Sequence, residues 1–185
     1  CAGARDNTSP SFLPPGLFGR FVPSCPAHQL LQPCPRPATD VDHAERARVW
    51  CRAWCSANPS VESVAPPGQW EARVSAEFGP PCVTLVCAEG PEVTAFLVLD
   101  VACAHLHQLF VDPDCQGQGV GAELLQQVHR LCPRGWTLHV ATANHGARRF
   151  YARHGLVEGL VDTHPATGRE RVLCRWPPPA TPAAG

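Results

Sequence analysis

The stretch that most constrains this chain is CQGQGVG, Cys115 to Gly121, which runs directly into AELLQQVHRL. Glycine inside a helix costs roughly 1 kcal/mol relative to alanine, so three glycines at a helix start need a reason. Without Cβ atoms another group can come close to the backbone, and the first N–H groups of a helix lack internal partners and carry partial positive charge. A bound phosphate exploits both features. The plainer reading is a surface turn with a helix cap. The strand-like LHQLFVDP on the other side of the loop favours the ligand.

Phosphate loops differ in chemistry. A nucleoside triphosphate loop needs Gly-Lys-Ser/Thr, and this chain contains no lysine. A dinucleotide fingerprint reads G-x-G-x-x-G in a first βα unit, whereas Gly117, Gly119 and Gly121 read G-x-G-x-G beyond mid-chain. What remains is Gln116-x-x-Gly119-x-Gly121. This resembles the pyrophosphate loop, Q/R-x-x-G-x-G/A, of the GNAT superfamily of acyl-CoA-dependent N-acetyltransferases. ANHGARRFYARHGL, Ala143 to Leu156, resembles the second motif of that family, N-x-x-A-x-x-F-Y-x-x-x-G-F, and WTLHVAT lies between the two as a strand. The resemblance covers residues 38–176. It implies an α+β, three-layer acyl-CoA N-acyltransferase fold, with a mixed, mostly antiparallel sheet whose two central parallel strands splay apart.

Periodicity gives the same order of elements. Residues 1–37 are proline-dense without a period, which predicts a disordered or loosely attached lead-in. Asp40 or Asp42 is placed to cap a helix to Ala57 with Ala47, Trp50 and Trp54 on its apolar stripe and Arg46, Arg48 and Arg52 elsewhere. A shorter helix is predicted over 69–78. CVTLVCAE and EVTAFLVLD read as a hairpin, followed by AHLHQLFV as a third strand. Val120, Leu124, Leu125, Val128 and Leu131 form one face of a helix stopped at Pro133. WTLHVAT is the next strand. Asn144 to His154 is a helix ended by Gly155, and LVEGLVD pairs with RERVLCRW around PATG. Residues 177–185 read as a disordered tail.

Length and composition exclude several functions. A chain of 185 residues with 44% hydrophobic content suits one catalytic domain. A net charge of -1 leaves no footprint for nucleic acid or an anionic membrane. No apolar run reaches transmembrane length and no signal-like start is visible, so a cytoplasmic protein is expected. The 11 cysteines accompany an absence of Lys, Ile and Met, a bias we attribute to GC-rich codons. Cys51 and Cys55 stand one helical turn apart and suit a metal clip, but structural thiols are the simpler reading.

The resemblance assigns roles. Backbone N–H groups of Gln116, Gly117, Gln118, Gly119, Val120, Gly121 and Ala122 would hold the pyrophosphate of acetyl-CoA, the co-substrate. Leu109, Phe110 and Val111 would offer backbone groups to the pantetheine arm and polarise the thioester. Tyr151, the one tyrosine, occupies the family's general-acid position, protonating the departing thiolate. Packing beside Phe150 is its plainer role. Asn144 caps its helix, bonds the cofactor arm, or does both. Many relatives carry a glutamate base on the strand before the loop. This chain has His105 at that place, with His107 on the same strand face. A half-buried strand histidine or a water chain is the alternative. The H-x-H pair shows no third ligand, so no metal is expected. The expected activity is direct transfer of acetyl to a primary amine of a small molecule or peptide, with no nucleic acid or membrane partner and a homodimer allowed. His105, in place of the glutamate, and Leu156, in place of the usual phenylalanine, keep open a degenerate acyl-CoA-binding or protein-interaction module.

Overall fold

The computed structural model describes residues 34–59 and 65–177, so most of the proline-rich lead-in and the tail lie outside the described residues. Seven strands form one sheet in the order β1-β2-β3-β4-β5-β7-β6. They are β1 (Arg36–Pro37), β2 (Val83–Glu89), β3 (Glu92–Asp100), β4 (His105–Val111), β5 (Trp136–Ala141), β6 (Val157–Thr163) and β7 (Glu170–Trp176). All neighbours are antiparallel except β4 and β5. The helices are α1 (His43–Ala57), α2 (Pro67–Glu77), α3 (Val120–Leu131) and α4 (His145–Arg153). The mixed sheet and the element order agree with the sequence reading. Strand β1 takes in Arg36 and Pro37, which the composition placed in the lead-in.

Each element follows from local chemistry. Strand β3 is apolar along almost its whole length, because a central strand is buried on both faces. On one face Leu85, Leu97 and Leu99 join Leu124, Leu125 and Val128 of α3 and Tyr151 of α4 in a single core. On the other, Val86, Phe96 and Val98 meet Trp50 of α1 and Trp70 and Val74 of α2. Val120, Leu124, Leu125 and Val128 of the α3 stripe thus turn inward as the 3.6 period requires, while Leu131, in the last turn, stays exposed. Its last turn ends at Cys132, beside Pro133, and α4 stops where Gly155 takes φ of +80°. Strand β6 is the outer strand and is exposed along its length. Among the described residues no helix is long and apolar enough to cross a membrane.

Two expectations for α1 are corrected. Neither Asp40 nor Asp42 caps it with a side chain; a short 3-10 turn, Asp40–Asp42, precedes it instead. The Asp42 carboxylate accepts the Thr39 N–H at 2.7 Å and both Arg36 guanidinium nitrogens at 2.7 and 2.8 Å. A charged, bidentate partner outcompetes the helix amides. Arg46, off the predicted stripe, is nonetheless buried. The Arg36 bonds, with those from Thr39, hold the Asp42 carboxyl well below the usual carboxylate range. Its charged form is therefore the folded form, and the resulting stability is present above the unfolded value of about 3.9 and lost as pH falls through the lower folded value. Asp42→Asn is expected to be less stable than the parent at pH 7 by about 1–2 kcal/mol. Urea titrations should show this gap constant above about pH 5 and narrowing progressively below about pH 4.

Candidate active site

The site is made by a failure of pairing. Strands β4 and β5 match only at His105 with Thr137 and Leu106 with Leu138. Beyond these two pairs β4 continues to Val111 and β5 to Ala141 without a shared ladder, and a cleft of about 600 Å³ opens at the parting. Leu109, Phe110 and Val111 form its β4 wall, and Ala53, Ser56 and Ala57 close it from the last turns of α1. Gln116, Gly117 and Gly121 enter it from the loop, and Asn144, Phe150 and Tyr151 from α4 and its cap. Of the residues proposed from sequence, Gln118, Gly119, Val120, Ala122 and His105 are not among the cleft-lining ones. Val120 packs into the core.

The glycines do what their positions require. Gly119 caps α3 with φ of +88°, a left-handed conformation open mainly to glycine, and its carbonyl accepts the first intrahelical bond, from Glu123. The N–H groups of Val120, Gly121 and Ala122 precede that bond and face outward at the positive end of the helix. Gly121 has little room for a side chain. A Cβ there would stand 3.2 Å from Phe150 Cζ and 3.5 Å from Val111 Cγ2. The Gln116 side chain donates to the Val111 carbonyl at 3.2 Å, tying the loop to the wall of the cleft.

A grip from α1, which periodicity alone did not reveal, fixes the start of the loop. Asp112 is nearly buried and receives Arg48 Nη1 at 2.7 Å and Arg52 Nε at 3.1 Å. Arg52 also meets Asp114 at 2.6 Å, and Asp112 Oδ1 accepts the Asp114 N–H at 3.1 Å. Arg48 and Arg52 lie one turn apart on α1, so spacing i, i+4 opposite a D-x-D turn is the signal that would have found them. Asp112→Ala strands two cations, but their partial exposure lets water take up the charge. A loss of about 1–3 kcal/mol is expected in denaturant unfolding, with faster amide exchange over 112–119.

Tyr151 lies in the helix-side core, 8% exposed, with its ring edge-on to Phe150 at 5.2 Å. Burial raises the pKa of its hydroxyl, which therefore stays protonated at every working pH. The Asn144 side chain accepts the Ala147 N–H at 3.0 Å, capping α4, and also lines the cleft. His105 stands at the closed root of the splay on the opposite face of the sheet, since its neighbour Leu106 points into the α3 core. Its Nδ1 lies 2.8 Å from Thr137 Oγ1. Burial, reinforced by nearby His107, His139 and Arg171, lowers its pKa to about 4. His107 and His139 approach it at ring-centre distances of 4.9 and 5.3 Å. Thr137 and His139 were not singled out from sequence. Only the parallel register of β4 and β5 brings them beside His105. Among the described residues no group of three His, Cys, Asp or Glu side chains is placed to hold a metal.

A glycine-capped helix beside a parallel pair that parts over a cleft defines the class of acyl-CoA-binding acyltransferases. The chain belongs to the acetyltransferase (GNAT) family, which it matches over residues 47–156, more than half its length. Solved structures with the same fold include a GCN5-related N-acetyltransferase from Rhodopseudomonas palustris, with 21% identity, TM-score 0.63, and coverage of 77% of this chain and 94% of that one. The PaiA N-acetyltransferase from Thermoplasma acidophilum, in complex with coenzyme A, aligns at 14% identity and TM-score 0.59, covering 75% of this chain and 96% of that one. YncA from Salmonella typhimurium, with acetyl-CoA, gives 17%, 0.57, 82% and 98%. No curated protein matches the chain significantly in sequence.

Proposed function

We propose that the protein transfers acetyl from acetyl-CoA directly to a primary amine of a small molecule or peptide. The observation that carries this reading is the cleft that opens where β4 and β5 part, which brings the loop residues Gln116, Gly117 and Gly121 together with Tyr151. The loop from Gln116 to Ala122 holds the pyrophosphate through backbone N–H groups, and Leu109 to Val111 offer strand edges to the pantetheine arm. The amine nitrogen forms its bond to the thioester carbon as the carbon–sulfur bond breaks. His105 takes the amine's proton and the buried Tyr151 hydroxyl gives its own to sulfur, so no thiolate builds up in a dry site. With Nδ1–H donated to Thr137 Oγ1, His105 Nε2 carries the lone pair that accepts.

Calorimetric titration with acetyl-CoA tests the first half, and failure to bind at millimolar concentration would sink the reading. Thiol release measured with a panel of amines tests the second. Release that depends on the amine supports an enzyme. Binding of acetyl-CoA with no amine-dependent release assigns the fold to a binding module, the alternative that His105 in place of a carboxylate leaves open.

A further inference from the structure

His105 is the inner member of a line of polar groups that runs from the root of the splay to the surface. Its ring lies 5.3 Å, centre to centre, from that of His139, and the Thr137 hydroxyl that bonds His105 sits two residues earlier on the same strand face as His139. His139 Nε2 is in turn 3.7 Å from Asp162 Oδ2, a half-exposed carboxylate on β6. Arg171 of β7 holds Asp162 through two nitrogens, at 2.5 and 3.2 Å, and so keeps it in line. The other charged or titratable groups around the line are His107 on β4, Asp100 across from His105 on β3, and His164 beyond β6.

We propose that His139 is a proton-relay residue, carrying the acceptor's proton away from His105 and out to Asp162 and solvent. This rests on the transferase reading above. The proton count closes. The amine proton bonds to His105 Nε2, the Nδ1 proton passes to the Thr137 hydroxyl 2.8 Å away and on through a water to His139, and His139 gives its other ring proton, again through water across 3.7 Å, to the Asp162 carboxylate, which loses it to solvent. A second reason for such an outlet is that His105 is a poor resting place for a proton. Burial disfavours a charged imidazole there, His107, His139 and Arg171 add to this, and Asp100 offsets only part of it. Burial and Arg171 also disfavour a charged His139, so a proton does not rest there either, and the Asp162 carboxylate 3.7 Å away draws it outward.

The test compares the full chain with His139→Ala and His139→Gln, using acetyl-CoA and whichever of benzylamine, ethylenediamine and glycinamide turns over fastest. Amine-dependent thiol release is followed from pH 6 to 9 with and without added imidazole, and calorimetry checks that each variant still binds acetyl-CoA. We expect kcat to fall about 10- to 100-fold in both variants, less than the loss of a direct acid or base because water can partly bridge the gap. The KM for acetyl-CoA should stay within about threefold, since the group acts only on the proton. Added imidazole should restore His139→Ala along a saturating curve. A packing role would give a loss that imidazole does not repair, and that result overturns the relay. So does a kcat within about twofold of the parent in either variant. If the parent itself releases no thiol with any amine, the transferase reading falls first and the relay with it.

Discussion

Tyr151→Phe is expected to lower kcat about 10²- to 10⁴-fold while leaving acetyl-CoA affinity within about threefold. Phe keeps the ring, so its place in the α3 core and its edge-on contact with Phe150 survive. Only the hydroxyl is lost. Burial raises that hydroxyl's pKa, so it is protonated when the carbon–sulfur bond breaks and can donate to the nascent thiolate. Steady-state thiol release and calorimetry on the same preparation separate the outcomes. A large drop in affinity would make the hydroxyl a cofactor anchor, and an unchanged kcat would reduce it to packing. Across pH, Tyr151→Phe should retain the acidic limb of kcat/KM. His105→Ala should lose it if that limb reports His105, and the limb should then lie near pH 4, where burial and its cationic neighbours have moved the imidazole.

The second large effect is expected at Gly121. Gly121→Val puts two methyl groups where a single Cβ already meets Phe150 and Val111 at 3.2 and 3.5 Å. The side chain has to push Phe150 aside or project into the cleft, and in either case a pyrophosphate cannot reach the N–H groups of the first turn of α3. Losing two hydrogen bonds to a charged group, each worth about 1.5–3 kcal/mol, predicts a 10²- to 10⁴-fold weaker acetyl-CoA affinity. The cost in stability is expected to be about 1–3 kcal/mol, the usual range for overpacking. Circular dichroism and thermal unfolding should therefore show a folded protein that calorimetry finds unable to bind. Normal binding in a folded Gly121→Val protein would mean that the phosphates lie elsewhere.

Much of the frame was legible because its causes are local. The Val120 to Val128 stripe, the Asn144 cap, the Gly155 stop and the two hairpins each depend on residues within a few positions of one another, where side-chain period and backbone freedom decide the outcome. The reading of Asp42 as a cap failed for the opposite reason. Arg36, six residues upstream in β1, takes the Asp42 carboxylate, and the sequence does not display that β1 forms there by pairing with β2.

The site divides along the same line. The sequence by itself determined the glycine-rich turn that starts α3 at Gly119, because missing side chains and a helix start act within one turn and need no distant partner. It also determined that a tyrosine would follow Phe150 on a short capped helix, and that a histidine would precede Leu106 on the strand before the loop. Tertiary structure alone decided where β4 and β5 stop pairing, and hence where the cleft opens. It decided that His105 has Thr137 and His139 as neighbours rather than solvent, which moves its pKa from the ordinary imidazole value to about 4. It decided too that Arg48 and Arg52 hold the start of the loop. The physical reason is range. Conformational preference and capping are settled over about one turn of chain, whereas a pKa or a cleft depends on desolvation and charge from residues brought together by strand register.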